Sequence, residues 1–398
     1  LKLWNEWQPD FFIDCHVTDG ADFQYNITYE YARHQEIAPS LSDWMEKHFE
    51  QDVIPEVDKA GNLASPYLQF ANSAEPEKGI YTFIASPRFA TGYSALRNRN
   101  GLLIEMHSVK PYKNRVLGTY DMLRYTIEEV GKNKKTLFAS NTAADKERYP
   151  EITDNGKRVI PLKLGYDKKP ISFAFKGFEI KIVDSKISGG KKTIFTSTPR
   201  ELKIPWYDQT VVTQEVTVPE AYLVPRQWTE VIQKLDAHGI KYTRLKTPEK
   251  FTVERYRIND PKWASAPFEG RLTMTFKTAT YTEEREYPEG TVMVPMSTQN
   301  AYVAIHLLEP NAPDSLLYWG FFNAIFEQKE YSEGYIMESI AEDLLKNDAK
   351  LREEYEKKLA EDQEFAGSPR ARLRYLYDRS PYRDRNIGLY PVARVVNP

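Results

Sequence analysis

The sequence predicts an α/β protein: a mixed-sheet domain, then β-rich material, then a second α/β region. Three observations lead there. Short apolar runs alternate with helix-length amphipathic stretches up to about residue 148. Between 149 and 220, β-formers cluster between Gly, Asp and Lys turns. From 221 to 398 a strand–helix–strand pattern returns and leads to a long charged helix. Alternation of strand and helix periods signals an α/β sheet, and closely spaced strands without helices signal β modules. Residues 1–148, 149–220 and 221–398 are therefore expected to form three successive units.

DFFIDCHV (10–17) is apolar and partly β-branched and stops at the turn TDGAD, so it reads as a buried strand. From Ser40 to Val57 the residues Trp44, His48, Phe49 and Val53 fall at helical spacing, and Ser40 with Asp43 suits a capping box. GIYTFIA (79–85) and GLLIEMHS (101–108) read as strands, with a loop and short helix between them, and a helix is expected over 116–130. KRVIPLKLGY, ISFAFKGFEIKIV and KKTIFTST read as strands of a sandwich-like module. AYLVPRQWTEVIQKLDAHGIKYTRL reads as strand, helix and strand, the helix ending at Gly239. Further strands are expected to about residue 308, AIHLLEP among them as a strand entering a turn. A long charged helix follows near 335–364, in which KLREEYEKKLAEDQE reads as a solvated face. SPYRDRNIGLYPVARVVNP is Pro- and Arg-rich and is expected to lie extended on the surface.

The composition is that of a globular chain: 398 residues, 41% hydrophobic, 28% charged, with a net charge of −3. A near-neutral balance gives no electrostatic reason to expect nucleic acid as a partner. No apolar run reaches the roughly 18 residues of a membrane span. Cys15 is the single cysteine, so an internal disulfide is excluded. The opening LKLWNEW has no initiator Met, basic region or apolar region of a signal peptide, and reads as cut from something longer. Oligomeric state is not legible.

Two residues stand out chemically. His16 ends an apolar strand before a Gly/Asp turn, the place where α/β folds build sites and where a neutral imidazole can bind zinc. A satisfied core histidine is the alternative. Glu105 is a carboxylate within Leu, Leu, Ile and Met; burial there demands a partner, a metal or a proton. It could serve as a general base, or as half of an ion pair with Arg97, Arg99, Lys110, Lys113 or Arg115. A catalytic zinc needs three protein ligands. The one His-x-x-Glu segment is His306 with Glu309, far along the chain and split by two leucines, which a strand entering a turn explains better. His16 and Asp19 form a His-x-x-Asp in which Asp19 reads as a turn residue. Asn26-Ile27-Thr28 is a glycosylation sequon of a kind common by chance.

FIDCHVTDG and the later GLLIEMHS together resemble the second half of a zinc metallocarboxypeptidase domain of the carboxypeptidase A type. In that family a His-x-x-Glu pair, an arginine and an Asn-Arg pair precede a third zinc-binding histidine, and a tyrosine and a catalytic glutamate follow. His16 stands where the third ligand does, and Glu105 where the glutamate does. PRFATGYSALRNRNGLLIEMHSVKPYKNRVLGTY is similar to a bacterial subgroup with a long C-terminal extension, which AYLVPRQW, LLEP, DSLLYWGFFN and SPYRDRN also resemble. The resemblance implies a Zn2+ cofactor, a peptide substrate and a periplasmic or secreted location. It makes Tyr93 the catalytic tyrosine, with Tyr81 as alternative, and Arg88 a candidate for binding the substrate carboxylate or for a structural ion pair. The His-x-x-Glu and Asn-Arg elements have no counterpart before His16, so the chain alone is expected to be inactive. The competing reading is a non-catalytic relative that binds peptide or glycan through its β-rich part.

Overall fold

The computed structural model describes residues 1–18, 20–148, 158–297, 300–328 and 332–396. It is a mixed α/β protein, as the sequence predicts. In chain order its first part contains α1 (Lys2–Trp7), β1 (Phe11–Thr18), β2 (Ile27–Tyr31), α2 (Pro39–Trp44), a π-helical segment (Met45–Val53), α3 (Ile54–Lys59), β3 (Ala64–Pro66), β4 (Gln69–Phe70), β5 (Ile80–Tyr81), α4 (Ala90–Leu96), β6 (Asn100–His107), α5 (Tyr112–Lys132) and α6 (Lys134–Arg148). These strands form a sheet of order β1-β6-β2-β3, with β1 parallel to β6 and β2 antiparallel to it. β2 and β6 are buried along nearly their whole length, as strands covered on both faces must be. Ile27, Tyr29, Leu102, Ile104 and Met106 pack there against Phe49, Val57 and Met122 of the covering helices. β1 is the edge strand, and its Cys15, His16 and Val17 are exposed.

The β-rich stretch contributes β7 (Val159–Tyr166), β8 (Ile171–Asp184), β9 (Lys191–Tyr207) and β10 (Thr210–Thr217). Among the described residues β7 pairs only with β10, whereas the β8–β9 hairpin joins β4 and β5 of the first part in one sheet through Ile80↔Trp206 and Tyr81↔Tyr207. A hydrogen-bonded sheet thus runs across residue 148. The expected strand over 79–85 shrinks to Ile80–Tyr81; just past it the Thr82 hydroxyl donates to Asp208 at 2.9 Å.

The last part holds β11 (Ala221–Val224), α7 (Thr229–Ala237), β12 (Thr243–Arg244), β13 (Glu249–Trp263), β14 (Met274–Tyr287), β15 (Val292–Pro295), α8 (Ala301–Leu308), α9 (Gly334–Asn347), α10 (Ala349–Glu361), α11 (Gln363–Ala366), α12 (Pro369–Tyr377) and β16 (Ala393–Val395). Six strands run in the order β12-β15-β11-β16-β13-β14. Gly239, at φ 66, follows the end of α7 as expected.

Four expectations give way here. AYVAIHLL is the helix α8, not a strand; a helix buried on nearly every side has no amphipathic period to read. The long charged helix is two, because Asp348 turns the chain and caps α10 by accepting from the Leu351 N–H. The C-terminal stretch is not confined to the surface: β16 is buried between β11 and β13. Ser40 caps no helix either; α2 starts with Pro39 after Ala38, and the Ser40 hydroxyl donates to the Ser140 carbonyl.

Candidate functional site

β1 and β6 run parallel in a register that sets His16 directly beside Glu105. Neighbours in register on parallel strands point to the same face of the sheet, so the two side chains meet near the carboxyl ends of the strands. His16 Nδ1 lies 4.0 Å from Glu105 Oε1, and His16 Nε2 lies 2.9 Å from Asp14 Oδ2. The imidazole is half exposed, with 52% of its side-chain surface open, whereas Glu105 retains 11%. Asp14 shares the face because it lies two residues before His16 on the strand. Its carboxylate faces Nε2, which leaves Nδ1 as the nitrogen on the Glu105 side.

Thr28, opposite Glu105 on β2, and Thr18, two residues past His16, line a cavity of about 590 Å3. Phe23, Tyr67, Asn72 and Lys78 also line it. His16 and Glu105 are not themselves in its lining, which carries aromatic, amide and ammonium groups. Asp14 was recoverable from strand alternation around His16. Tyr67 was not, because no local pattern connects a tyrosine after β3 with a histidine on β1.

Other expected site residues lie elsewhere. Tyr93, on α4, accepts from Arg97 at 3.2 Å and meets His238 Nδ1 at 3.1 Å, and its ring packs on Trp4. Trp4 in turn packs on Phe12 near the start of β1. Four residues of strand, about 13 Å, separate Phe12 from His16. Tyr81 stacks on Tyr207 in the other sheet. Arg88 stands over the rings of Phe89 and Phe268, 4.0 Å from Asp314, in the ion-pair role that was its alternative. His306 and Glu309 belong to α8 and its end; Glu309 accepts from the hydroxyls of Tyr222 and Tyr256 and pairs with Arg394, so its oxygens are in use. Asp19 lies outside the described residues. Thr28 of the sequon is buried within the sheet.

Whether zinc fits is a matter of donors. The described residues offer one imidazole nitrogen at this place, held by a carboxylate as metal-binding histidines usually are. His16 does not belong to the one group of three metal-capable side chains found among the described residues. That group is His48, Asp52 and Glu129, where the π-helical segment meets α5. His48 Nδ1 is 3.1 Å from Glu129 and 3.5 Å from Asp52. Lys132 and Asn133 also donate to Glu129, so protein donors already satisfy it. Asp52 lies one turn along the same segment as His48, whereas Glu129 comes from a helix far along the chain. At this place the described residues set one imidazole beside a carboxylate, and His16 is outside the group of three.

No family model matches the chain, and no solved structure matches it. Among characterised proteins it is 24% identical to "Carboxypeptidase 2" of Trichophyton rubrum, over 80% of this chain and 58% of that protein. It is 29% identical to the proteins of the same name from Trichophyton equinum and Trichophyton tonsurans, with the same coverage. The chain thus spans a little over half the length of these relatives. They are fungal, whereas the resemblance suggested a bacterial subgroup. No helix among the described residues is long and apolar enough to cross a membrane. The similarities support a carboxypeptidase relationship for this chain.

Proposed function

We propose that the chain carries the general-base side of a zinc carboxypeptidase site acting on peptides, in a protein exported from the cytoplasm. The observation that carries this reading is the His16↔Glu105 register, with Asp14 on the far nitrogen of the imidazole. His16 Nδ1 would be one of three protein ligands, the other two coming from outside this chain. Zinc, when bound, supplies a Lewis acid that polarises the scissile carbonyl and acidifies a water. Asp14, 2.9 Å from His16 Nε2, would favour the proton on that nitrogen and so coordination through Nδ1. Glu105 Oε1 takes the proton of the attacking water and returns it to the leaving amine nitrogen. The groove past Thr28 and Tyr67 would hold the peptide.

The first test is zinc content of the 398-residue chain purified without added metal. Essentially none is expected; about one zinc per chain would refute the shared-ligand reading. The second test is Glu105→Gln in the protein complete with its remaining ligands. Turnover should fall by about two to four orders of magnitude with zinc retained, the range of a lost general base. Unchanged turnover would remove Glu105 from the role. A complete protein that holds zinc and hydrolyses no peptide would point to the binding relative instead.

A further inference from the structure

The β8–β9 hairpin leaves the body of the protein after Phe178. Up to that point Phe173, Phe175 and Ile204 pack with Tyr25 and Ile80, Phe23 bridges to Gly177, and Lys110 stands over the Phe178 ring. Beyond it, among the described residues, the strand pairing, hydrogen bonds and ion pairs of residues 179–198 stay within the hairpin. The ladder continues to Asp184↔Lys191, so the free ribbon reaches about 20 Å past the body. A two-stranded ribbon has no core of its own. This one is nonetheless both apolar and basic. Ile187, in the turn, is 98% exposed, Ile182 53% and Ile194 39%. Lys181, Lys186, Lys191 and Lys192 are exposed around them. The acidic groups on the ribbon are Glu179, at its base, and Asp184, which pairs with Lys191 at 2.5 Å. Its outer part therefore keeps a surplus of positive charge.

The register puts apolar groups on both faces of the ribbon. Ile180, Ile182 and Phe195 share one face with Lys191, and Val183 and Ile194 share the other with Lys181 and Lys192. A ribbon that docks side-on against a protein buries one face and turns a polar one to water. Here neither face is polar throughout, and the most exposed apolar side chain stands at a convex end. A medium that surrounds the ribbon and carries negative charge at its surface answers both features. The apolar tip enters the acyl boundary, while the ammonium groups stay at the headgroups with their stems along the ribbon. We propose that the β8–β9 hairpin inserts tip-first into an anionic lipid surface, with Ile187 leading and the four lysines against the headgroup phosphates. The hairpin belongs to a different sheet from β1 and β6, so the proposal is independent of the peptidase reading.

The test is co-sedimentation of the full chain with vesicles of phosphatidylcholine alone and of an equal mixture of phosphatidylcholine and phosphatidylglycerol. Binding to the mixed vesicles is expected, weakening as salt rises, with far less binding to phosphatidylcholine alone. Lys186→Gln together with Lys192→Gln should weaken it about 25-fold, about fivefold for each lysine near an anionic surface. Ile187→Ser should weaken it about tenfold through lost apolar insertion. All three positions are exposed at or beside the turn, so these variants should unfold thermally as the wild type does. Absence of binding to the mixed vesicles, equal binding to both vesicle types, or binding unchanged in Ile187→Ser would overturn the proposal. So would a chain that self-associates without vesicles and becomes monomeric in Ile187→Ser, which would assign the hairpin to a second copy.

Discussion

Replacing Arg394 by methionine should cost the protein about 3 to 5 kcal/mol at neutral pH. Arg394 lies in the buried strand β16, with its Nε 3.0 Å from Glu309 Oε1. Glu309 has 1% of its side-chain surface exposed and also accepts from Tyr222 at 2.5 Å and Tyr256 at 2.7 Å. The same guanidinium reaches Glu254 and the Thr217 carbonyl. Methionine retains most of the packing volume but leaves a buried carboxylate without its cation, and breaking such a pair costs roughly 3 to 5 kcal/mol. Burial already raises the pKa of Glu309 against the pull of Arg394, and removing the cation raises it further. A carboxyl whose folded pKa exceeds its unfolded one stabilises the fold below the unfolded pKa and loses that contribution as pH rises. The deficit of the variant relative to wild type should therefore shrink on acidification from pH 7 towards pH 5. Urea unfolding at both pH values measures it. A variant within about 1 kcal/mol of wild type at pH 7, below the range for a broken buried pair, would refute the reasoning. So would a deficit that grows on acidification. Glu309→Gln in the same background should restore part of the loss, with a coupling of about 1 to 3 kcal/mol, because it removes the uncompensated charge.

Glu30 offers a second pH test: burial pushes its pKa up to about 7, against the pull of the Thr91 hydrogen bond and Arg33. Its contribution is present below the unfolded carboxyl pKa and lost as pH rises through about 7, so stability should decline by about 3 kcal/mol across that window. Glu30→Gln should flatten the decline, and an unchanged pH profile of unfolding would refute it. Gly92→Ala should destabilise by about 1 to 3 kcal/mol, because a Cβ there would fall 2.6 Å from the Ala85 carbonyl oxygen and still nearer that of Ser86. Both obstacles are backbone, so no rotamer change relieves them; thermal unfolding reads the loss. Asp14→Asn should weaken zinc binding by the complete protein about 10- to 100-fold, the usual effect of losing the group that orients a metal-binding histidine. Zinc affinity unchanged in that variant would mean Asp14 does not set the tautomer of His16.

How far the protein was legible follows from where each piece of information lies along the chain. Local alternation and turn residues were enough for β1, β6, β8, β9 and α7, and for placing His16 at a strand end and Glu105 in an apolar strand. A strand's period depends on its own residues, so these elements are written where they occur. The register that turns His16 and Glu105 from two separate signals into neighbours 4.0 Å apart is a long-range pairing. So are the insertion of β16 into the six-stranded sheet, the compensation of Arg394 by Glu309 and the His48–Glu129 contact. A sequence shows a charge or an apolar run but not the partner that makes its burial tolerable. α8 was misread for the same reason: surrounded by other elements, it has no solvent side to imprint a period. The sequence by itself determined the α/β class and singled out His16 and Glu105 as candidates. Tertiary structure alone decided that they meet, because contacts between distant segments are set by packing and pairing rather than by local periodicity.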